Sequence, residues 1–275
     1  MNQDLSYRQA SEFDHRFGRL KRLDFVVQTI RQHAQGRALQ QMHVLEIGCG
    51  KGNIALPIAS LGYPMIGIDL DIGSLRYATH RTAGSNASFV VMDVLRMGMD
   101  RKFDVIVCSE VIEHLDEPER MLAALPGLLK QDGIAIITTP NGFGPFELSS
   151  QLFYVQPLRL MKAIGLGAWL KKMRRRFAHV PHGPDSMNRS SPHVQFFRLG
   201  RLYKLLRQCG LEMIEVAHSD WLESATPLTR LYGLSERLAR FDQRIADRLP
   251  GYMVSGWYVV CRAAGTSSTR AASDV

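Results

Sequence analysis

Apolar residues recur at three- and four-residue steps through residues 5–35, at Phe13, Phe17, Leu20, Leu23, Val27 and Ile30, with charges between them. That period lays one apolar stripe along an amphipathic helix. The pattern then changes to short apolar runs alternating with helical segments. HVLEIG precedes NIALPIASLG, MIGID precedes GSLRYATHRTA, and SFVVMD follows. FDVIVCSE precedes EPERMLAALPGLLKQDG, whose helix is expected to end at Gly133, and IAIITTPN closes the series. Five runs of this kind, interleaved with helices, predict a parallel sheet covered on both faces. Residues 142–192 break the rhythm and are irregular and basic. It resumes with RLGRLYKLLRQCG as helix and LEMIEVAHS as strand. Residues 220–250 predict helix, YMVSGWYVVCRA a final strand, and the small polar residues 263–275 a disordered tail. The expected fold is α/β: one doubly wound, mostly parallel seven-stranded sheet over residues 1–262. A helical N-terminal extension, an antiparallel edge hairpin and two helical inserts, 142–192 and 220–250, complete it. The inserts are expected to cap the ligand side of the sheet.

Composition agrees with a folded chain. Of 275 residues, 45% are apolar and 22% charged, which suits one large α/β domain and excludes a disordered protein. Cys49, Cys108, Cys209 and Cys261 lie far apart with no CxxC pair, so neither a zinc knuckle nor a disulfide framework is expected. The first fifteen residues are polar and acidic, unlike a signal peptide, and no run of eighteen apolar residues exists. The expected location is cytoplasmic. A net charge of +8 suits an anionic partner: nucleic acid, lipid headgroups or a phosphorylated substrate.

The chemistry concentrates after the first strand, in VLEIGCGKGN. Gly48, Gly50 and Gly52 permit positive φ and let bare backbone approach a ligand, and the loop lies beyond the carboxyl end of a parallel strand, where such sheets bind ligands. A dinucleotide fingerprint would need glycine at 53, where the chain has Asn53. Asp69 ends the second strand and Asp93 the third; Asp71 is expected to cap the next helix. An acid at the end of each of the first three strands together with this loop resembles the class I S-adenosylmethionine-dependent methyltransferases. The resemblance covers residues 42–141, and more loosely 193–218 and 252–262. It implies a Rossmann-like fold with S-adenosyl-L-methionine as cofactor. Glu46, Gly48, Gly50 and Gly52 would border the methionine end, Asp69 would hold the ribose, and Asp93 with the backbone of Val94 would read the adenine.

A second constellation follows the fourth strand, in SEVIEHLDEPER. Glu110, Glu113 and His114 stand at i, i+3 and i+4 and share one face if a helical turn begins there. Two chemistries fit: oxygen and nitrogen ligands for a divalent metal, or His114, with Glu110 beside it, as a general base for a hydroxyl acceptor. This stretch, with TTPN and PHVQFF, is similar to the ubiquinone-biosynthesis O-methyltransferases and to the small-RNA 3′-terminal 2′-O-methyltransferases. The second similarity implies Mg2+ or Mn2+ held by Glu110, Glu113, His114 and His193. The same Glu-x-x-Glu-His pattern also shapes acceptor pockets in members of the superfamily not known to use metal, and a cap for the following helix is the alternative reading of His193.

The inserts bear on the acceptor. Residues 151–177 hold Arg159, Lys162, Lys171, Lys172, Arg174, Arg175 and Arg176 with no acid, against Leu158, Met161, Trp169, Leu170, Met173 and Phe177. This composition fits an interfacial membrane helix, a lid, or a nucleic-acid contact. In 220–250 a stripe of Trp221, Leu228, Leu231, Leu234, Leu238, Phe241 and Ile245 predicts a helical face packed on the first insert. The leading expectation is O-methylation of a small or lipid-linked, hydrophobic acceptor, with contact to the inner face of a membrane. RNA 2′-O-methylation and a non-catalytic, cofactor-binding regulator are the alternatives.

Overall fold

The computed structural model describes residues 6–11, 17–82, 84–152, 193–225, 228–232 and 235–265. Most of the first insert, including its basic segment from residue 153 on, and the last ten residues of the tail lie outside them. Helix α1 runs Phe17–Ala34 and buries Leu23, Val26, Val27 and Ile30. It does not extend back to residue 5. A 3-10 turn, Ser6–Ala10, comes first and Ser11 is not helical. The cause is Asp24, which accepts hydrogen bonds from Tyr7 Oη at 2.8 Å and from both Nε and Nη2 of Arg8, folding the turn back onto α1.

Seven strands form one sheet: β1 (Val44–Ile47), β2 (Met65–Asp69), β3 (Ala87–Val91), β4 (Phe103–Ser109), β5 (Leu129–Pro140), β6 (Leu211–His218) and β7 (Gly256–Ala263). Their order is β3-β2-β1-β4-β5-β7-β6. All pairings are parallel except those of β7, which runs antiparallel to both β5 and β6 and makes the edge hairpin. Strict alternation sends consecutive residues to opposite faces. Val44, Val105, Val107, Ile134 and Ile136 pack with α1 and with α2 (Ala55–Ser60). Leu45, Ile47, Ile106, Cys108 and Ile137 pack with α4 (Pro118–Leu128) and α6 (Leu199–Gln208). Both faces are dry, which is why these strands read as unbroken apolar runs. Helix α3 (Ile72–His80) lies between β2 and β3, and α5 (Pro145–Ser150) follows β5.

Helix α4 ends at Leu128, not at Gly133, because Leu129 already pairs with Phe103 at the start of β5. Lys130 then reaches back to Asp104 at 2.7 Å, and a side chain at Gly133 would meet the Phe103 carbonyl. The 220–250 region forms α7 (Thr229–Tyr232) and α8 (Glu236–Ala246), with only part of the expected face inward. Leu231 and Phe241 are exposed, while Ala239, Asp242 and Ala246 are buried. Asp242 turns inward because it accepts from the backbone N–H of Trp221, Leu222 and Glu223. This end of the chain docks on α1, where Lys21 bonds the Ser219 carbonyl and Asp247; the first insert, its expected partner, lies outside the described residues. All four cysteines are free and buried. Among the described residues no helix is long and apolar enough to cross a membrane.

Candidate functional site

Strand β1 delivers the chain to Gly48, Gly50 and Gly52 at φ of 69°, 49° and 76°, backbone that L side chains resist. Gly48 N–H and Cys49 N–H donate to the Ile68 carbonyl at 2.8 and 3.0 Å, stitching the loop to β2. A Cβ on Gly48 would lie 2.5 Å from Cγ2 of Val111, so the glycine loop presses directly on the loop after β4. A Cβ on Gly50 would meet only open space. Asp69 faces this loop: Oδ2 accepts from Gly50 N–H and Oδ1 from Asp71 N–H, each at 2.8 Å. Each oxygen retains capacity for another donor. Asp71 caps α3 through Gly73 N–H at 3.0 Å, as expected.

Met92 N–H bonds the Asp69 carbonyl at 3.1 Å, which brings the turn after β3 alongside. There Asp93 accepts from Leu95 N–H at 2.9 Å and keeps its side chain 38% exposed, beside the buried Val94. Glu46 is buried, and its Oε2 has no hydrogen-bond partner. Burial pushes its carboxyl well above the usual carboxylate range; a backbone hydrogen bond from Ala55 opposes this and the charge of Asp69 adds to it.

The second group starts with strained backbone. Glu110 has φ 57°, in the left-handed region that non-glycine residues enter at a cost of about 1–3 kcal/mol. Its N–H donates to the Thr138 carbonyl at 3.0 Å. Its Oε1 accepts from Thr138 Oγ1 at 2.9 Å and pairs with Arg22 Nη1 of α1 at 3.2 Å. No α-helical turn begins at Glu110; a 3-10 turn spans Ile112–His114 instead. Of the expected four-residue metal set, the compact donor cluster holds Glu113, His114 and His193 without Glu110, whose charge is still felt at Glu113.

The other three members do come together. One side-chain donor atom from each of Glu113, His114 and His193 lies within 4.8 Å of the others. Glu113 is fully buried: Oε2 accepts from Thr139 Oγ1 at 3.3 Å, and Oε1, 3.9 Å from His114 Nε2, has no hydrogen-bond partner. Burial, then the nearby charge of Glu110, hold its carboxyl well above the usual range. The main-chain carbonyl of Glu113 accepts from Val194 and Gln195 N–H, which docks His193 opposite. The His114 and His193 rings meet edge to face, 4.8 Å between centroids. His193 Nδ1 lies 2.5 Å from Oε1 of buried Glu147 on α5.

Glu147 and Arg22 were not anticipated. Glu147 had a signal: an acid in the apolar stretch GPFELSS, just beyond the carboxyl end of β5. Arg22 had none, since it sits among the other cations of an amphipathic helix.

A family model described as a methyltransferase domain matches residues 17–216. The chain belongs to the class I S-adenosylmethionine-dependent methyltransferases. Among curated relatives, a Rickettsia canadensis protein named ubiquinone biosynthesis O-methyltransferase is 30% identical over 71% of this chain and 72% of its own length. A Rickettsia felis protein of the same name is 30% identical over 44% of this chain, and the match spans 49% of that relative's length. Solved structures share the fold. A Clostridium acetobutylicum S-adenosylmethionine-dependent methyltransferase superposes with TM-score 0.56 at 13% identity, covering 88% of this chain and 91% of its own. The magnesium protoporphyrin IX methyltransferase of Synechocystis, with bound SAH, gives 0.52 at 18% identity, covering 90% and 84%.

Proposed function

We propose that this chain methylates a hydroxyl oxygen of a small, hydrophobic or lipid-linked acceptor. The observation that carries the reading is the contact of Gly48 with Val111. It gives the glycine loop and the turn bearing Glu113 and His114 a common wall, so cofactor cradle and acid–imidazole cluster are neighbours. The names of the Rickettsia relatives support oxygen as the methylated atom.

The residues present fit S-adenosylmethionine. The buried, unpartnered Oε2 of Glu46, the open face of Gly50 and the spare acceptor capacity of Asp69 suit a cationic ligand with hydroxyls and amines. When bound, that cofactor supplies a sulfonium methyl open to in-line displacement by an oxygen lone pair. Glu46 and the glycine loop border its methionine end, Asp69 holds the ribose hydroxyls, and Asp93 with the backbone of Val94 meets the adenine. His114, half-buried beside Glu113, takes the acceptor proton. Glu110, anchored by Arg22 and Thr138, holds the turn in place. Alignment in a water-poor pocket supplies the larger part of such a rate.

A second reading keeps the same residues and adds a metal. Glu113, His114 and His193 offer one oxygen and two nitrogens, and the unpartnered Oε1 of Glu113 suits a cation. Mg2+ or Mn2+ held there would make an acceptor hydroxyl more acidic. Contact with a membrane surface or with RNA through the basic segment 151–177 is proposed from its composition, as is a regulatory, non-catalytic role for bound cofactor.

Calorimetric titration with S-adenosylmethionine tests the core. Binding is expected, with a loss of about 100-fold in Asp69→Ala, the size of one or two charge-assisted hydrogen bonds. Transfer of labelled methyl to a panel of hydroxylated polyprenyl aromatics and short RNAs identifies the acceptor. EDTA that abolishes transfer selects the metal reading, and EDTA without effect selects the base. Tight cofactor binding with no transfer to either class would sink the enzymatic proposal.

A further inference from the structure

Glu147 lies outside both motifs, and no role above uses it. Its setting is built with care. Asn141 Nδ2 donates to the carbonyls of Tyr252 and Val254 at 3.1 and 2.9 Å, and its Oδ1 accepts from Phe143 N–H at 3.1 Å. Gly142 N–H donates to the Phe197 carbonyl at 3.0 Å, and a Cβ on Gly142 would strike the Phe196 main chain at 2.7 Å. The turn launching α5 is thus wedged between 196–197 and 252–254, and Glu147 comes with it. His193 is fixed from the other side, by the two N–H groups that follow it and donate to the Glu113 carbonyl.

Between these frames the carboxylate and the ring meet at 2.5 Å, with side chains 5% and 12% exposed. A buried carboxylate without a donor costs several kcal/mol, so this contact has a strong reason to persist. An ionised carboxylate only accepts, and a neutral imidazole has one N–H and one lone pair. For that pair, ionised carboxylate and neutral ring, the contact puts the proton on Nδ1 and leaves the lone pair on Nε2. The site reading above does not require this: a ring free to exchange tautomers would offer either nitrogen.

We propose that Glu147 is a positioning residue, locking His193 as the Nδ1–H tautomer so that Nε2 faces the acceptor hydroxyl or a divalent ion. This rests on the cluster being the acceptor site. A carboxylate that orients a ring in this way is typically worth 10–100-fold in activity or metal affinity.

Ring-15N histidine labelling of the whole chain, treated with EDTA and recorded at mildly alkaline pH, reads the tautomer without turnover. His193, assigned by its absence in His193→Gln, is expected to show a pyrrole-type Nδ1 and a pyridine-type Nε2. Glu147→Ala should return it to a tautomer mixture. In that variant kcat should drop about 10–100-fold with cofactor affinity unchanged, and Glu147→Asp should recover part of the loss. Should Glu147→Ala fail to fold, Glu147→Gln replaces it: its amide oxygen still accepts from Nδ1–H, so the tautomer stays and kcat falls less. A wild-type His193 protonated on Nε2, a tautomer and kcat indifferent to Glu147→Ala, or, where Gln replaces Ala, a kcat equal to wild type, overturns the proposal. If no acceptor is ever turned over, the methyl-transfer reading fails while the spectra still decide the role of Glu147.

Discussion

Buried acids stand at both ends of the sheet, and their surroundings are opposite. At the amino end of β4, Asp104 accepts from Arg37, from Lys130 and from His43 N–H, at 3.1, 2.7 and 2.8 Å. Burial pushes its carboxyl up, but the Lys130 and His43 hydrogen bonds and the charges of Lys130 and Arg37 outweigh that, and it is held below its ordinary value. At the carboxyl ends, Glu46 and Glu113 each keep one buried oxygen without a partner and are held well above theirs. The acid whose charge is compensated serves the fold. The acids left short of donors are those to which the proposed function assigns a ligand.

Glycines extend the contrast and give its severest test. Gly48 and Gly62 both have positive φ, but a Cβ at Gly48 strikes Val111, whereas one at Gly62 meets open space. Gly48→Ala should cost roughly 2–6 kcal/mol, adding left-handed strain to overpacking against a stiff side chain, and should also impair cofactor binding. Gly62→Ala should cost only about 1–2 kcal/mol and leave binding intact. Urea unfolding with cofactor titration compares them; equal losses of affinity would break the distinction between the two ends.

Asp104→Asn comes next. Weakening three hydrogen bonds to a charged acceptor should cost about 1–3 kcal/mol, with cofactor affinity unchanged. Because the folded carboxyl is depressed, its contribution is complete above the ordinary value of 3.8 and disappears as pH falls through the folded one. The gap between wild type and variant in urea midpoint should therefore close in acid. A gap that widens in acid would contradict this assignment.

Glu46→Gln should show the smallest effect, with the opposite sign. A raised carboxyl keeps its proton in the native state where the unfolded chain has lost it, so stability falls as pH climbs from 4.5 towards the folded value. Without cofactor, the variant should match wild type near pH 4.5 and melt higher than wild type at alkaline pH. Parallel melting curves across that range would mean Glu46 is not strained by its burial.

Much of this was legible beforehand because the signals are local. The apolar period located α1 and all seven strands, the glycines marked the loop after β1, and Asp71 was recognised as a cap from its place before α3. Helix ends were harder: β5 begins at Leu129 because of Phe103 and Asp104, which no feature of the α4 sequence announces. The stripe expected along 220–250 is only partly the buried face: Leu231 of α7 and Phe241 of α8 are exposed, while the carboxylate of Asp242 is buried.

Sequence alone therefore determined the α/β sheet, the glycine loop and the acids at its strand ends, since alternation, backbone chirality and capping act within a few residues. The tertiary structure decided which acids go where: Glu110 to Arg22, Glu113 to the two histidines, and Glu147 to His193, 46 positions away. Such partners are chosen by burial, which charges a high cost for any carboxylate left alone in a dry interior. That cost is set by what the fold brings near, not by what lies beside the residue in the chain.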